Sequence, residues 1–415
     1  MLFNEAAVPG LGGVWFIRQL ALALLGIRVA EEFPSAGSKI QVANAIEALA
    51  CWIGYEDRGW GRGDWRLRGP LKLKSLHDRG MERTFRRLKS PSSYVTQPMR
   101  MGCVEALPGL GLVGASGSRF NSFSVNDRGQ QLIEAVFGAR GKDRLYLPDY
   151  LRDWVRDEPV NLTASLRQKL NPTAVVGDDA RSVMREALAF PGRDAERRRK
   201  ALAWVERIDA GGNFGANPHT HWANQPAEID DRHWRDLRAG AALLQTRNAA
   251  IGVLANIEQR LVTNSRLDLT RPLPEGVSAS LKTWREEAQH FLALEGHGPD
   301  EAAPAAREFC NEALQSDVQA ITKLVNRENH MLRVTGSAVV PTAAWRTDAA
   351  LAAGDATDDR FGIAAAAEGT EDGAPVRAER DVLPPAISPR LVYLRRMALD
   401  LNGRLGTYIE AQGQN

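Results

Sequence analysis

Apolar residues recur at helical spacing along most of the chain. Val14, Ile17, Ala21, Leu24 and Leu25 share one face and Val42, Ile46, Leu49 and Ile53 share another, a pattern that predicts two antiparallel N-terminal helices. The period then lapses in "EDRGWGRGDWRLRGPLKLK", where Gly, Arg and Trp fit neither a helix nor a strand. An exposed basic Trp/Arg loop over 56–80 is the expectation there. Order returns at residue 81. A helix is expected over 81–88, and Ser90-Pro91-Ser92 stops it and starts another that runs to about residue 107. Short apolar runs at 110–113 and 119–125 flank "GASGS", whose Gly and Ser suit a hairpin tip. Asn126 or Asp127 then caps a helix that carries Leu132, Ile133 and Val136 on one side.

Beyond Arg140 helical patterns occupy about 161–170, 178–190, 193–209, 230–262, 277–294 and 299–329. The longest begins after Asp230 or Asp231 and sustains Leu237, Leu244, Ile251, Leu254 and Leu261 on one face, which requires partner helices. From 347 to 387 the chain is rich in Ala, Gly and acid and too poor in large apolar residues to offset its ordering entropy, so a disordered linker is expected. Ser388, Pro389 and the stripe Leu391, Leu394, Ala398, Leu401 and Leu405 then mark an amphipathic helix over 388–415 that must dock on its own bundle or on a partner. The expected fold is mainly α: N-terminal helices and a hairpin-containing unit over 1–140, a helical bundle domain over 141–346, the linker, and the terminal helix.

The order helix, helix, hairpin, helix over 81–138, closing on "RFNSFSVNDRGQQLIEA", resembles a winged helix-turn-helix domain. That resemblance implies that the 92–107 helix is a recognition helix presenting Tyr94, Thr96, Gln97 and Arg100, with Arg119 and Asn121 on the wing. Local charge agrees with it. The 415 residues carry 53 Lys and Arg against 51 Asp and Glu, so a nucleic-acid surface has to come from clustering. Residues 58–100 hold 12 basic and 3 acidic side chains, enough to engage several phosphates with strong salt dependence. The expected phosphate contacts are Arg62, Arg66, Arg68, Lys72, Lys74, Arg86, Arg87, Lys89, Arg100 and Arg119, with Trp60 and Trp65 as stacking surfaces.

A second resemblance is carried by "GVWFIRQLALALL", "IQVANAIEALACWIGY" and "LKSPSSYVTQPMRMGCVEALPGLGLVG". These stretches are similar to uncharacterised bacterial proteins encoded beside helicases and phospholipase D-like nucleases in phage-defence clusters. The resemblance implies an accessory subunit that acts with a DNA-processing partner such as a helicase or nuclease, and it carries no catalytic residue across.

Other chemistry finds less footing. "GLGLVG" at 109–114 matches a dinucleotide pattern, but it follows a helix and precedes a hairpin, the reverse of what that motif requires. No GxxxxGK[ST], GxSxG or HExxH occurs. Cys51, Cys103 and Cys310 lie far apart with no CxxC pair, which fits a reducing cytoplasm. The apolar stretch at 14–32 is broken by Arg18 and Gln19, so no membrane span is expected. The one metal candidate is "NPHTHWANQPAEIDDRHW", in which His219, His221 and His233 supply a ligand set for zinc or manganese. The leading expectation is a non-enzymatic, cofactor-free, DNA-binding adaptor. The alternatives are a metal-dependent hydrolase or nuclease built on the three histidines and a purely protein-binding structural subunit.

Overall fold

The computed structural model describes residues 2–61, 64–90, 92–139, 147–156, 162–192, 195–209, 221–298, 302–345 and 382–413. As expected, the chain is mainly helical. The first elements are α1 (Leu2–Ala7), α2 (Ile17–Glu32), α3 (Lys39–Asp57), α4 (Pro70–Asp78), α5 (Phe85–Leu88) and α6 (Cys103–Gly109). Strands β1 (Val113–Ala115) and β2 (Phe123–Val125) follow, and then α7 (Asp127–Phe137), α8 (Leu147–Val155), α9 (Ala164–Leu170), α10 (Asp178–Leu188) and α11 (Ala195–Asp209). A long helix, α12 (Asp231–Thr263), leads to β3 (Leu267–Asp268), α13 (Glu275–Leu292), α14 (Ala302–Ala313), α15 (Asp317–Glu328), β4 (Leu332–Thr335) and β5 (Ala338–Pro341). The last helices are α16 (Pro389–Leu401) and α17 (Leu405–Gly413).

Two hydrophobic cores organise these elements, and their division differs from the one expected. The first gathers residues from Ala7 to Val205, the start of α12 through Leu237, and Leu383 to Ile409. The second holds the rest of α12 with α13, α14, α15 and the antiparallel sheet β3-β5-β4. The boundary therefore runs through α12 and not near residue 140. Phe3 of α1 reaches across into the second core, edge-on to Phe291 at 6.1 Å.

At the centre of the first core α2 is buried on nearly every side. It lies so close to α3 that a Cβ on Gly26 would meet Ala43 Cα at 2.5 Å, so only glycine permits this approach. The terminal helix shares that centre. Leu391, Leu394, Met397, Leu399 and Leu401 of α16 are all buried, each contributing about 2 kcal/mol of apolar burial. Its polar side is buried too. Arg395, with no exposed surface, pairs with Asp209 through bonds of 3.0 and 2.8 Å. Asp400 accepts the Ile17 amide at 2.8 Å at the start of α2. Most of the expected linker lies outside the described residues, but Val382, Leu383 and Ile387 at its end are buried.

Several helices are shorter or more divided than their patterns imply, and the one expected over 388–415 is broken after Leu401 into α16 and α17. The 299–329 pattern splits at Ser316, which precedes α15. Of the helix expected over 81–88 only α5 forms.

Candidate nucleic-acid interface

The hairpin and its flanking helix form as expected: Val113 pairs with Val125 and Ala115 with Phe123. The Asn126 side chain caps α7 by accepting the Gly129 amide at 3.0 Å. The recognition helix does not form over 92–107. Residues 92–98 are turns and bends, 99–102 a single 3-10 turn, and α6 covers only Cys103–Gly109.

Pro98 lies inside the expected helix, lacks an amide donor and disfavours the α conformation at Gln97, and Glu47 on α3, a buried carboxylate, accepts the Met99 amide at 2.7 Å and the Arg100 amide at 3.1 Å. The Tyr94 hydroxyl donates to the same side chain at 3.0 Å. These bonds draw Tyr94 and Arg100 inward, to 2% and 9% exposure, so neither faces a groove. Burial raises the Glu47 carboxyl above its ordinary range, offset in part by its three donors. Burial also pushes the neighbouring Cys51 thiol up to about 12, so it is a packing residue and not a nucleophile. The Arg100 guanidinium donates to Asn44 at 2.8 Å and lies over the Phe120 ring. On α6 the exposed Glu105 pairs with Arg390 of α16 and adds negative charge beside this turn.

The basic 56–80 segment is likewise less exposed than its composition implies, and its second half is helix α4. Arg66 is buried and makes a two-pronged ion pair with Asp64, through Nε at 2.9 Å and a terminal nitrogen at 2.7 Å. Arg68 lies half-buried, its amide donating to Cys51 Sγ at 3.4 Å. Lys74 is exposed but pairs with Asp78 on the same helix at 2.7 Å. Trp65 is a staple and not a stacking platform: its ring packs edge-on to Tyr408 and carries the Arg396 guanidinium at 5.0 Å. Trp60 sits just past α3 with φ of 61°, a left-handed conformation that costs a non-glycine residue about 1 kcal/mol or more. It is held there by its amide bond to the Tyr55 carbonyl at 2.8 Å and by stacking on the Tyr55 ring at 5.6 Å. His77 covers it at 4.7 Å. Arg62 lies outside the described residues.

What remains is a cationic surface made by α4, α5 and the turn after α5. Both helices pack on α3, and two bonds tie them to the same turn. Lys72 Nζ donates to the Tyr94 carbonyl at 2.8 Å, and Ser93 Oγ to the Arg87 carbonyl at 2.8 Å. Lys72 and Arg86 are exposed and Arg87 and Lys89 half-buried. Lys72 is satisfied by a carbonyl, and Lys89 by the Phe85 ring and the Ala36 carbonyl, so neither contact cancels its charge. Arg79, exposed at the end of α4, adds a cation that sequence reasoning passed over. Thr96 is exposed and Gln97 half-buried on the adjoining turn, and Arg119 is exposed near the hairpin tip.

Of the metal candidates, only His221 and His233 lie among the described residues, and their settings differ. His233 has no exposed surface, and its Nε2 lies 2.9 Å from the Ala7 carbonyl of α1. Burial lowers its pKa to about 4, as expected of a neutral structural imidazole. His221 is exposed, and His219 lies outside the described residues. Among the described residues no three His, Cys, Asp or Glu side chains are grouped as metal ligands. No described helix is long and apolar enough to cross a membrane. No protein-family model, curated protein or solved structure matches the chain, so the two resemblances rest on their quoted residues alone.

Proposed function

We propose that the chain is a non-enzymatic, nucleic-acid-associated adaptor that contacts the phosphate backbone through the α4–α5 surface. The supporting observation is that Lys72 and Arg86 are exposed and Arg87 and Lys89 half-buried on this one surface, whereas Arg66 and Arg100 are buried in internal bonds. A patch of this kind neutralises phosphates and carries no base-reading element, so binding is expected to be strongly salt-dependent and largely indifferent to sequence. The protein partner implied by the defence-cluster resemblance, a helicase or nuclease, belongs to the same proposal.

Fluorescence anisotropy with duplex and single-stranded DNA at 50 and 200 mM salt tests the reading. Four phosphate contacts give a slope of about −3.6 in log K against log salt, and so a loss of roughly 100-fold over that range. The combined variant Lys72→Ala, Arg86→Ala, Arg87→Ala and Lys89→Ala is expected to remove most of both the affinity and the slope. Absence of binding at 50 mM salt, or an unchanged slope in the variant, overturns the proposal and leaves the protein-binding alternative.

A further inference from the structure

A groove of about 1140 Å³ opens at the seam between the two cores, walled by α1, the turn at 189–192 and the first turns of α11 and α12. Its carboxylates are already occupied. Glu5 accepts from Arg390 and from the Gly10 amide. Asp236 pairs with Arg197 at 2.8 Å and accepts the Gly298 amide at 2.8 Å. Glu196 and Asp230 share Lys200, at 3.0 and 3.2 Å. Asp230 also caps α12 through the His233 amide at 2.9 Å, so that helix start is not itself an open anion site.

Arg199 on α11 and Arg232 on α12 also line the groove and are exposed. Among the described residues neither makes an ion pair or a side-chain hydrogen bond. The lining holds as many acidic as basic side chains, and Arg199 and Arg232 are the two guanidinium groups in it that no described acid holds, one from each helix. Lys200 of α11 also reaches Asp230 at the start of α12, so the two helices meet at this wall of the groove. Leu2, Ala6, Pro9 and Pro191 supply an apolar stretch of wall beside them. Cavities of this general size hold small organic ligands, with apolar walls and a few polar groups that fix orientation.

We propose that this groove binds a small organic polyphosphate, its phosphate groups taken by Arg199 and Arg232 and its organic body by the apolar wall. Guanidinium groups suit that task because their planar forks match phosphate oxygens two at a time. The site is separate from the α4–α5 surface and does not depend on the nucleic-acid reading.

Isothermal titration of the full chain with ADP, pyrophosphate and adenosine provides the test. Saturable 1:1 binding is expected for ADP, weaker binding for pyrophosphate and none for adenosine. Arg199→Ala with Arg232→Ala should weaken ADP binding at least tenfold at unchanged melting temperature, since both residues are exposed. The fourfold α4–α5 variant should bind ADP as the parent does, which keeps failure here distinguishable from failure of the nucleic-acid proposal. No saturable binding of ADP or pyrophosphate, or equal binding by the double variant, overturns the site; equal affinity for pyrophosphate and ADP overturns the role of the apolar wall.

Discussion

Replacing Arg395 by Ala tests whether the terminal helix is part of the first core or an attachment to it. The Arg395 side chain has no exposed surface and meets Asp209, itself 5% exposed, through two bonds of 3.0 and 2.8 Å. Removing one partner of such a pair strands the other charge away from water, which costs about 3–5 kcal/mol. Removing both charges with apolar replacements, as in Arg395→Met with Asp209→Leu, avoids the stranded charge and is often close to neutral. Each single change is therefore expected to destabilise strongly and the double change little, giving a coupling energy of several kcal/mol. A domain stable by about 5–15 kcal/mol loses about a fifth or more of its stability in either single variant. Urea unfolding followed by tryptophan fluorescence reads the correct core, because eight of the ten Trp residues pack in or against the first core. Single variants that lose under about 1 kcal/mol, or effects that simply add, would show that the pair is solvated and the helix peripheral.

Two further outcomes follow from burial and close packing. The His233 pKa of about 4 lies below the ordinary histidine value of 6.5, so its contribution to stability is complete above pH 6.5 and is lost as pH falls from there toward 4. Between pH 7.5 and pH 5 the loss is about 2 kcal/mol; urea midpoints of wild type and His233→Gln across that range should diverge by this amount, and parallel curves would refute the shift. Gly26→Ala places a Cβ at 2.5 Å from both Ala43 Cα and Ala43 Cβ, and the resulting overpacking costs about 1–3 kcal/mol. That outweighs the gain of about 1 kcal/mol in helix propensity, so a lower melting temperature is expected and a higher one would contradict the close approach.

Local signals were the legible part of this sequence. Asn126, Asp230 and Ser388 all cap the helices they were expected to start, because a cap is written within four residues of itself. The long periodic stretch after Asp230 became α12 almost residue for residue. Signals that depend on a distant partner were not legible. A count of 12 cations against 3 anions treats every charge as solvated, yet Arg100 finds its acceptor on Asn44, 56 positions earlier; the Arg66 pair with Asp64, two residues away, was a local signal that the count passed over. Ser90-Pro91-Ser92 looks like a helix start, but Pro98, a local breaker, was passed over, and Glu47 on another helix claims the Met99 and Arg100 amides. The stripe on α16 reads as amphipathic because Arg390, Arg395, Arg396 and Asp400 look like a water-facing side. Arg390 meets Glu5 and Glu105, Arg395 meets Asp209, Asp400 meets the Ile17 amide and Arg396 lies over Trp15 and Trp65, all between 186 and 385 positions away.

The bond between the Ile17 amide and Asp400 spans 383 positions, and this bears on how the molecule is made. At ribosomal rates of about 5–20 residues per second, α2 emerges roughly 20–80 seconds before the residue that completes its first turn. Throughout that interval the apolar surface of α2 and α11 that α16 covers stays open to solvent and to chaperones. Chains released before α16 is made never close it, so the covering of α2 depends on a segment synthesised hundreds of residues later.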